Sequence, residues 1–202
     1  MLRRSYHTHT HRCKHATGDV SDYARAALNA GLRTLGMSDH TPLPDDRWLS
    51  VRMAYHELSD YEDAIQVARQ DFPQLQILKG LECEYALEYH SFLQEELLER
   101  RQFDYLIGAG HFTPYRGEWL NSFEALTTPS SLRAYARHLE TMMFSGLFAF
   151  VAHPDLFGCC NVAWNADLTA CSRDILQVAE ATQVPLEING YGFRKQPRVT
   201  SS

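Results

Sequence analysis

The order of apolar segments along this 202-residue chain predicts an α/β protein with parallel strands. Short strand-like runs recur from end to end, helical patterns lie between most of them, and the connections are long enough to contain a helix. Parallel neighbours require such crossovers, because a tight turn can only join antiparallel strands. A closed barrel and an open sheet both fit. The six strand candidates fall short of the eight in a complete (β/α)₈ barrel, so a barrel here would be irregular or unfinished.

The strand candidates are residues 3–8, "RTLGMSD" at 33–39, "LQILKGLECEY" at 75–85, "DYLIGAGHF" at 104–112, "FAFVAHP" at 148–154 and "VPLEING" at 184–190. Each has strand length and is bounded by turn residues or a change of period. "VSDYARAALNAG" predicts a helix capped near Ser21 and stopped at Gly31, and "HELSDYEDAIQVARQDF" predicts another that ends before Pro73. "SSLRAYARHLETMMFSG" runs from a serine cap to Gly146, and "LTACSRDILQVAEATQ" supplies the helix before the last strand.

The length is read as one domain spanning residues 1–202, without an obvious linker. With 45% hydrophobic and 22% charged residues, neither a disordered nor a fibrous chain is expected. A formal charge of -6 argues against broad nucleic-acid binding while leaving room for a local cationic pocket. "MLRRSYHTH" has no apolar stretch behind its arginines, and no 18 uncharged apolar residues run together, so a soluble cytoplasmic protein without membrane contact is expected. Cys13, Cys83, Cys159, Cys160 and Cys171 form no CxxC pair and are expected reduced, with Cys83 and Cys159 as packing residues.

The stretch "YHTHTHRCKHATG" places His7, His9, His11 and His15 within nine positions, although the whole chain has only ten histidines. His7 and His9, two apart on a strand, project to one face, a spacing that suits two ligands on one metal. His40, Glu82, His111 and His153 all stand at or near the carboxyl ends of their strand candidates. In parallel α/β folds those ends build the active site. A single buried histidine is more often a hydrogen-bonded core residue than a ligand. A repeated histidine or carboxylate at the same end of successive strands has no such packing explanation. Imidazole nitrogen and carboxylate oxygen suit zinc, iron or manganese. His56, His90 and His138 are expected to be solvated or locally bonded, and His11 to neighbour the cluster without joining it.

The segments "YHTHTHRCKHATG", "GMSDHTPLP", "GLECEY", "IGAGHF", "VAHPDLFG" and "PLEINGYGFRK", in that order, resemble the polymerase and histidinol phosphatase (PHP) superfamily, in particular its histidinol-phosphate phosphatases. The resemblance implies a distorted (β/α)₇ TIM-like barrel with a trinuclear metal centre that hydrolyses L-histidinol phosphate. It implies that His7, His9 and Glu82 hold one ion, that Glu82 bridges to a second held by His111 and His153, and that His15 and His40 hold a third. Two to three divalent ions, zinc, manganese or iron, are thereby expected. Glu82, His111 and Arg194 are the expected catalytic residues, Arg194 contacting the phosphate of a small phosphorylated substrate, while Asp39 orients a ligand. Cys13 and His15 stand at their expected spacing.

Family members finish with a strand carrying Asp-x-His. Here the last aspartate is Asp174 and the last histidine His153, which predicts a form truncated at its carboxyl end, without the closing strand, and with the third ion most affected. Two further readings follow: another phosphoesterase of the superfamily acting on nucleotides or other small phosphate esters, or a catalytically impaired metal-binding protein. Neither "GxSxG" nor a cysteine-phosphatase signature competes.

Overall fold

The helices that follow Asp19, Thr128 and Asn165 start where a side-chain oxygen meets the first unsatisfied backbone amides. The computed structural model describes residues 3–161 and 163–190. The chain divides into two compact units, one of Met1–Cys83 with Leu87–Ile107 and one of Glu84–Ala86 with Gly108–Ser202.

In the first unit, β1 (Arg3–Ser5), β2 (Leu32–Met37) and β3 (Gln76–Cys83) pair in parallel, with Leu35 opposite Ser5 on one side and Ile77 on the other. β4 (Tyr105–Gly108) follows β3, tied to it where the Asp104 amide donates to the Lys79 carbonyl at 2.8 Å. Between the strands run α1 (Val20–Asn29), α2 (Leu58–Asp71) and a π-helical segment, Phe92–Arg100, whose end is closed by the Arg101 amide on the Glu96 carbonyl. Leu35, Met37, Ile77 and Leu81 of the strands are buried, as are Val20, Ala24, Leu58 and Ile65 of the helices. That apolar layer between helix and sheet is the main source of stability for such a unit.

Strand β4 ends at Gly108, which belongs to the second unit and accepts from the Ala152 amide at 2.8 Å. Within the first unit the strand order is β1-β2-β3-β4, and the second unit holds β7 (Phe150–Val151). The same unit holds an antiparallel hairpin, β5 (Phe112–Tyr115) and β6 (Glu118–Asn121), then α3 (Pro129–Phe144) and α4 (Ala166–Thr182).

The α/β class with parallel strands and intervening helices is borne out. Details differ for local reasons. Helix α1 is capped by Asp19 through a capping box with Asp22, so Ser21 lies inside the helix. Helix α3 is capped by Thr128 with Pro129 in its first turn, ahead of the serines. Strand β1 ends at Ser5, because at Thr8 the amide is taken by the Ser38 hydroxyl at 2.9 Å rather than by a backbone carbonyl. Residues 184–190 contribute only one isolated bridge, Leu186 with Val151.

The sequence reading missed the hairpin and the π-helical segment. The hairpin had a signal in "YRGE", where Arg116 (φ 53°) and Gly117 (φ 85°) both adopt the left-handed conformation required by a two-residue turn. Among the described residues no helix is long and apolar enough to cross a membrane.

Candidate metal centre

Histidine side chains gather in the first unit because the segment after β1 is held rigidly against the end of β2. The Thr10 amide and hydroxyl donate to the two oxygens of Asp39, at 2.8 and 2.7 Å. From α2, the buried Tyr61 hydroxyl donates to the Gly80 carbonyl at 3.0 Å and receives the Asp39 amide. The buried Arg12 guanidinium donates to Asp19 at the start of α1 and to Asp60 on α2, at 2.5 and 2.7 Å, and so fixes the turn that carries Cys13 and His15.

Within this frame His7 Nε2 lies 2.9 Å from His9 Nε2, and His15 Nε2 lies 3.0 Å from His40 Nε2. Glu82, 1% exposed, turns Oε1 toward His7 Nε2 at 3.4 Å and Oε2 toward His9 Nε2 at 3.2 Å and His40 Nδ1 at 3.1 Å. Ligand-type atoms of His7, His9 and Glu82 lie within 4.8 Å of one another, as do those of His9, His15 and His40. His40, just past β2, and Glu82, near the end of β3, form an isolated parallel bridge, which fixes their separation through the backbone.

The electrostatics favour a cation. Burial opposes a charge on His9, yet Cys13, Glu82 and Asp39 outweigh it and hold the imidazole up at about 10. Burial raises the Cys13 thiol, but His15 and His9 overcome that and bring it down to about 6. Burial likewise lifts the Asp39 carboxyl against the pull of its Thr10 donors. The donor set of imidazole and carboxylate suits a divalent cation.

The second unit has its own group. His111 and His153 have ring centroids 4.9 Å apart, and His111 stacks on Phe123 at 5.8 Å. His111 Nδ1 is 2.5 Å from Glu84 Oε1, and the His153 amide donates to Glu187 Oε2 at 3.1 Å. His153 itself has φ 28°, an uncommon backbone for a side chain with Cβ.

A protein-family model, the PHP domain, matches residues 5–190. The chain belongs to the PHP domain family. A curated relative of this PHP domain, named probable histidinol-phosphatase, from Deinococcus radiodurans, is 36% identical over 157 residues, which is 74% of this chain and 59% of that protein. The chain thus spans well under two thirds of that relative's length. Among solved structures, a Listeria monocytogenes protein titled histidinol phosphatase hisK superposes with a TM-score of 0.77 at 21% identity, over 95% of this chain and 84% of that one. A Lactococcus lactis histidinol phosphate phosphatase, solved with zinc, L-histidinol and phosphate, superposes with a TM-score of 0.72 at 18% identity, over 95% and 74%. These likenesses bear out the α/β, TIM-like fold class expected from the sequence.

Of the residues singled out in the sequence, His7, His9, His15, His40 and Glu82 come together in the first unit of this PHP domain, and His111 with His153 in the second. Arg194 lies outside the described residues. His11 is exposed and faces the Gly18 carbonyl, and His56 is exposed on a short 3₁₀ turn. His138 departs from the expected solvated residue: it is buried on α3 against Trp119, and burial pulls it down to about 4. Cys83 packs in the core as expected, whereas Cys159 is exposed on a 3₁₀ turn. Sequence reasoning missed Glu84 and Glu187. Glu84 had a signal, since Glu-x-Glu at 82–84 repeats the two-residue spacing used for His7 and His9.

Proposed function

We propose that this PHP domain is a metal-dependent phosphomonoester hydrolase that converts L-histidinol phosphate and water to L-histidinol and phosphate. The observation that carries the reading is the convergence of His7, His9 and His40 on the buried carboxylate of Glu82, with His15 set against His40. The names of the relatives and the zinc, L-histidinol and phosphate bound to the Lactococcus protein support the choice of substrate and ions.

His7, His9 and Glu82 would hold one ion, and His15 and His40 another, with His111 and His153 as a further ligand pair. Two to three ions of zinc, manganese or iron match these donors. Divalent ions would lower the pKa of a water to near neutrality and offset the charge of the phosphate. The chain's own part is to hold imidazole nitrogens and the Glu82 carboxylate in fixed positions, with little reorganisation during reaction. Asp39 and Arg12 perform that fixing in the first unit. Arg194 is assigned to the substrate phosphate, where a guanidinium can donate two parallel hydrogen bonds to its oxygens.

Phosphate release from L-histidinol phosphate, compared with a panel of nucleotides, sugar phosphates and diesters, tests the assignment. The highest kcat/KM is expected on L-histidinol phosphate, with loss of turnover on chelation. A nucleotide preference would reassign the substrate, and folded, metal-loaded protein inert toward every ester would refute the phosphatase reading.

A further inference from the structure

Glu84 has no part in the reading above, and its surroundings give it one. The carboxylate is 1% exposed, and its Oε1 lies 2.5 Å from Nδ1 of His111. The Phe112 amide donates to its other oxygen at 3.4 Å. On its flank the His111 ring is stacked nearly parallel to Phe123, with an interplanar angle of 16°. All four residues belong to the second unit. Two contacts at the carboxylate and one at the ring face leave the imidazole little freedom to turn.

A neutral imidazole carries one N–H, and a carboxylate can only accept. The short contact therefore requires the proton on Nδ1, which puts the ring lone pair on Nε2. In water an isolated imidazole side chain populates both tautomers, and in the wrong one a proton sits on the atom meant to bind. From this geometry we infer that Glu84 is a positioning residue that locks His111 as its Nδ1–H tautomer and presents Nε2 as the donor to a divalent cation. The inference deepens the proposed function, on which the metal role of His111 rests. Glu82 and Glu84 then divide the labour of one strand end, the first offering its oxygens as ligands and the second orienting a ligand.

The tautomer is directly readable in the metal-free protein. Long-range ¹⁵N–¹H correlation spectra of ¹⁵N-histidine-labelled protein, recorded near about pH 8 where an ordinary imidazole is neutral, distinguish the two nitrogens. The wild type is expected to show Nδ1 of His111 protonated. Glu84→Leu, similar in size and without an acceptor, is expected to show Nε2 protonated or an exchanging mixture. Titrating zinc should then perturb the His111 Nε2 signal in both proteins, with about 10- to 100-fold weaker affinity in the variant. A protonated Nε2 in the wild type overturns the inference even if the variant fails to fold. An unchanged tautomer or an unchanged zinc affinity in folded Glu84→Leu overturns it as well. Activity is measured separately: a Glu84-dependent tautomer in a protein that hydrolyses no phosphate ester leaves this inference standing while the phosphatase reading falls.

Discussion

Glu82 is the residue on which most of the first unit's chemistry converges, since both its oxygens face histidines and almost none of it meets solvent. Replacing it by glutamine keeps the shape and removes the charge that offsets a cation. Zinc binding by Glu82→Gln, followed by calorimetry, is expected to weaken by at least about 10-fold, the loss typical of a defect at a metal site. His56→Ala, on an exposed turn, is expected to bind as the wild type does. Equal and small effects would contradict the ligand role of Glu82. At this scale His7, His9, His40 and Glu82 were readable in the sequence, because two-residue periodicity and strand ends are local properties, whereas His15 came only from the resemblance to the PHP superfamily. Glu84 was not read as a partner of His111, because 27 residues separate them and only the folded second unit brings them to 2.5 Å.

Elements show where packing overrules pattern. Helix α3 buries His138 against the Trp119 ring, which burial keeps neutral by drawing its pKa from 6.5 down to about 4, against the opposing influence of Glu84. Between those values the unfolded chain takes up a proton that the folded chain refuses, so stability is full above about 6.5 and falls as the pH drops toward about 4. From the 1.36 kcal/mol of each pKa unit, urea unfolding at about pH 7 and about pH 5 should show the wild type losing roughly 2 kcal/mol more than His138→Leu. Parallel losses would show that His138 does not set this acid limb. In the sheet, Tyr105 lies across Gly36 and Gly80, and a Cβ at either would collide with its ring. The Tyr105 hydroxyl donates to the Tyr6 carbonyl at 2.6 Å, which keeps the ring from swinging away. Gly80→Ala should therefore cost about 1–3 kcal/mol of stability, and Tyr105→Leu in the same chain should make the added methyl less costly, as a double-mutant cycle of urea unfolding would read. An additive cycle would contradict the contact.

For the molecule as a whole, the proposed ligands come from segments far apart in sequence, so metal binding would be coupled to folding. Zinc at 100 times its dissociation constant should add about 2.7 kcal/mol, which for a chain of this size raises Tm by roughly 5–10 °C, and EDTA should reverse it. A Tm indifferent to both would argue that the cluster holds no ion in the folded state. The sequence by itself determined the alternation of strand and helix and the residue types at the strand ends, because period, capping chemistry and ligand spacing act over a few neighbours. Only the tertiary structure decided that Asp19 and Thr128 cap their helices, that β1 stops at Ser5, that His138 is buried and that Glu84 meets His111. Those outcomes depend on which distant groups compete for a given amide, imidazole or carboxylate, and that competition exists only once the chain has folded.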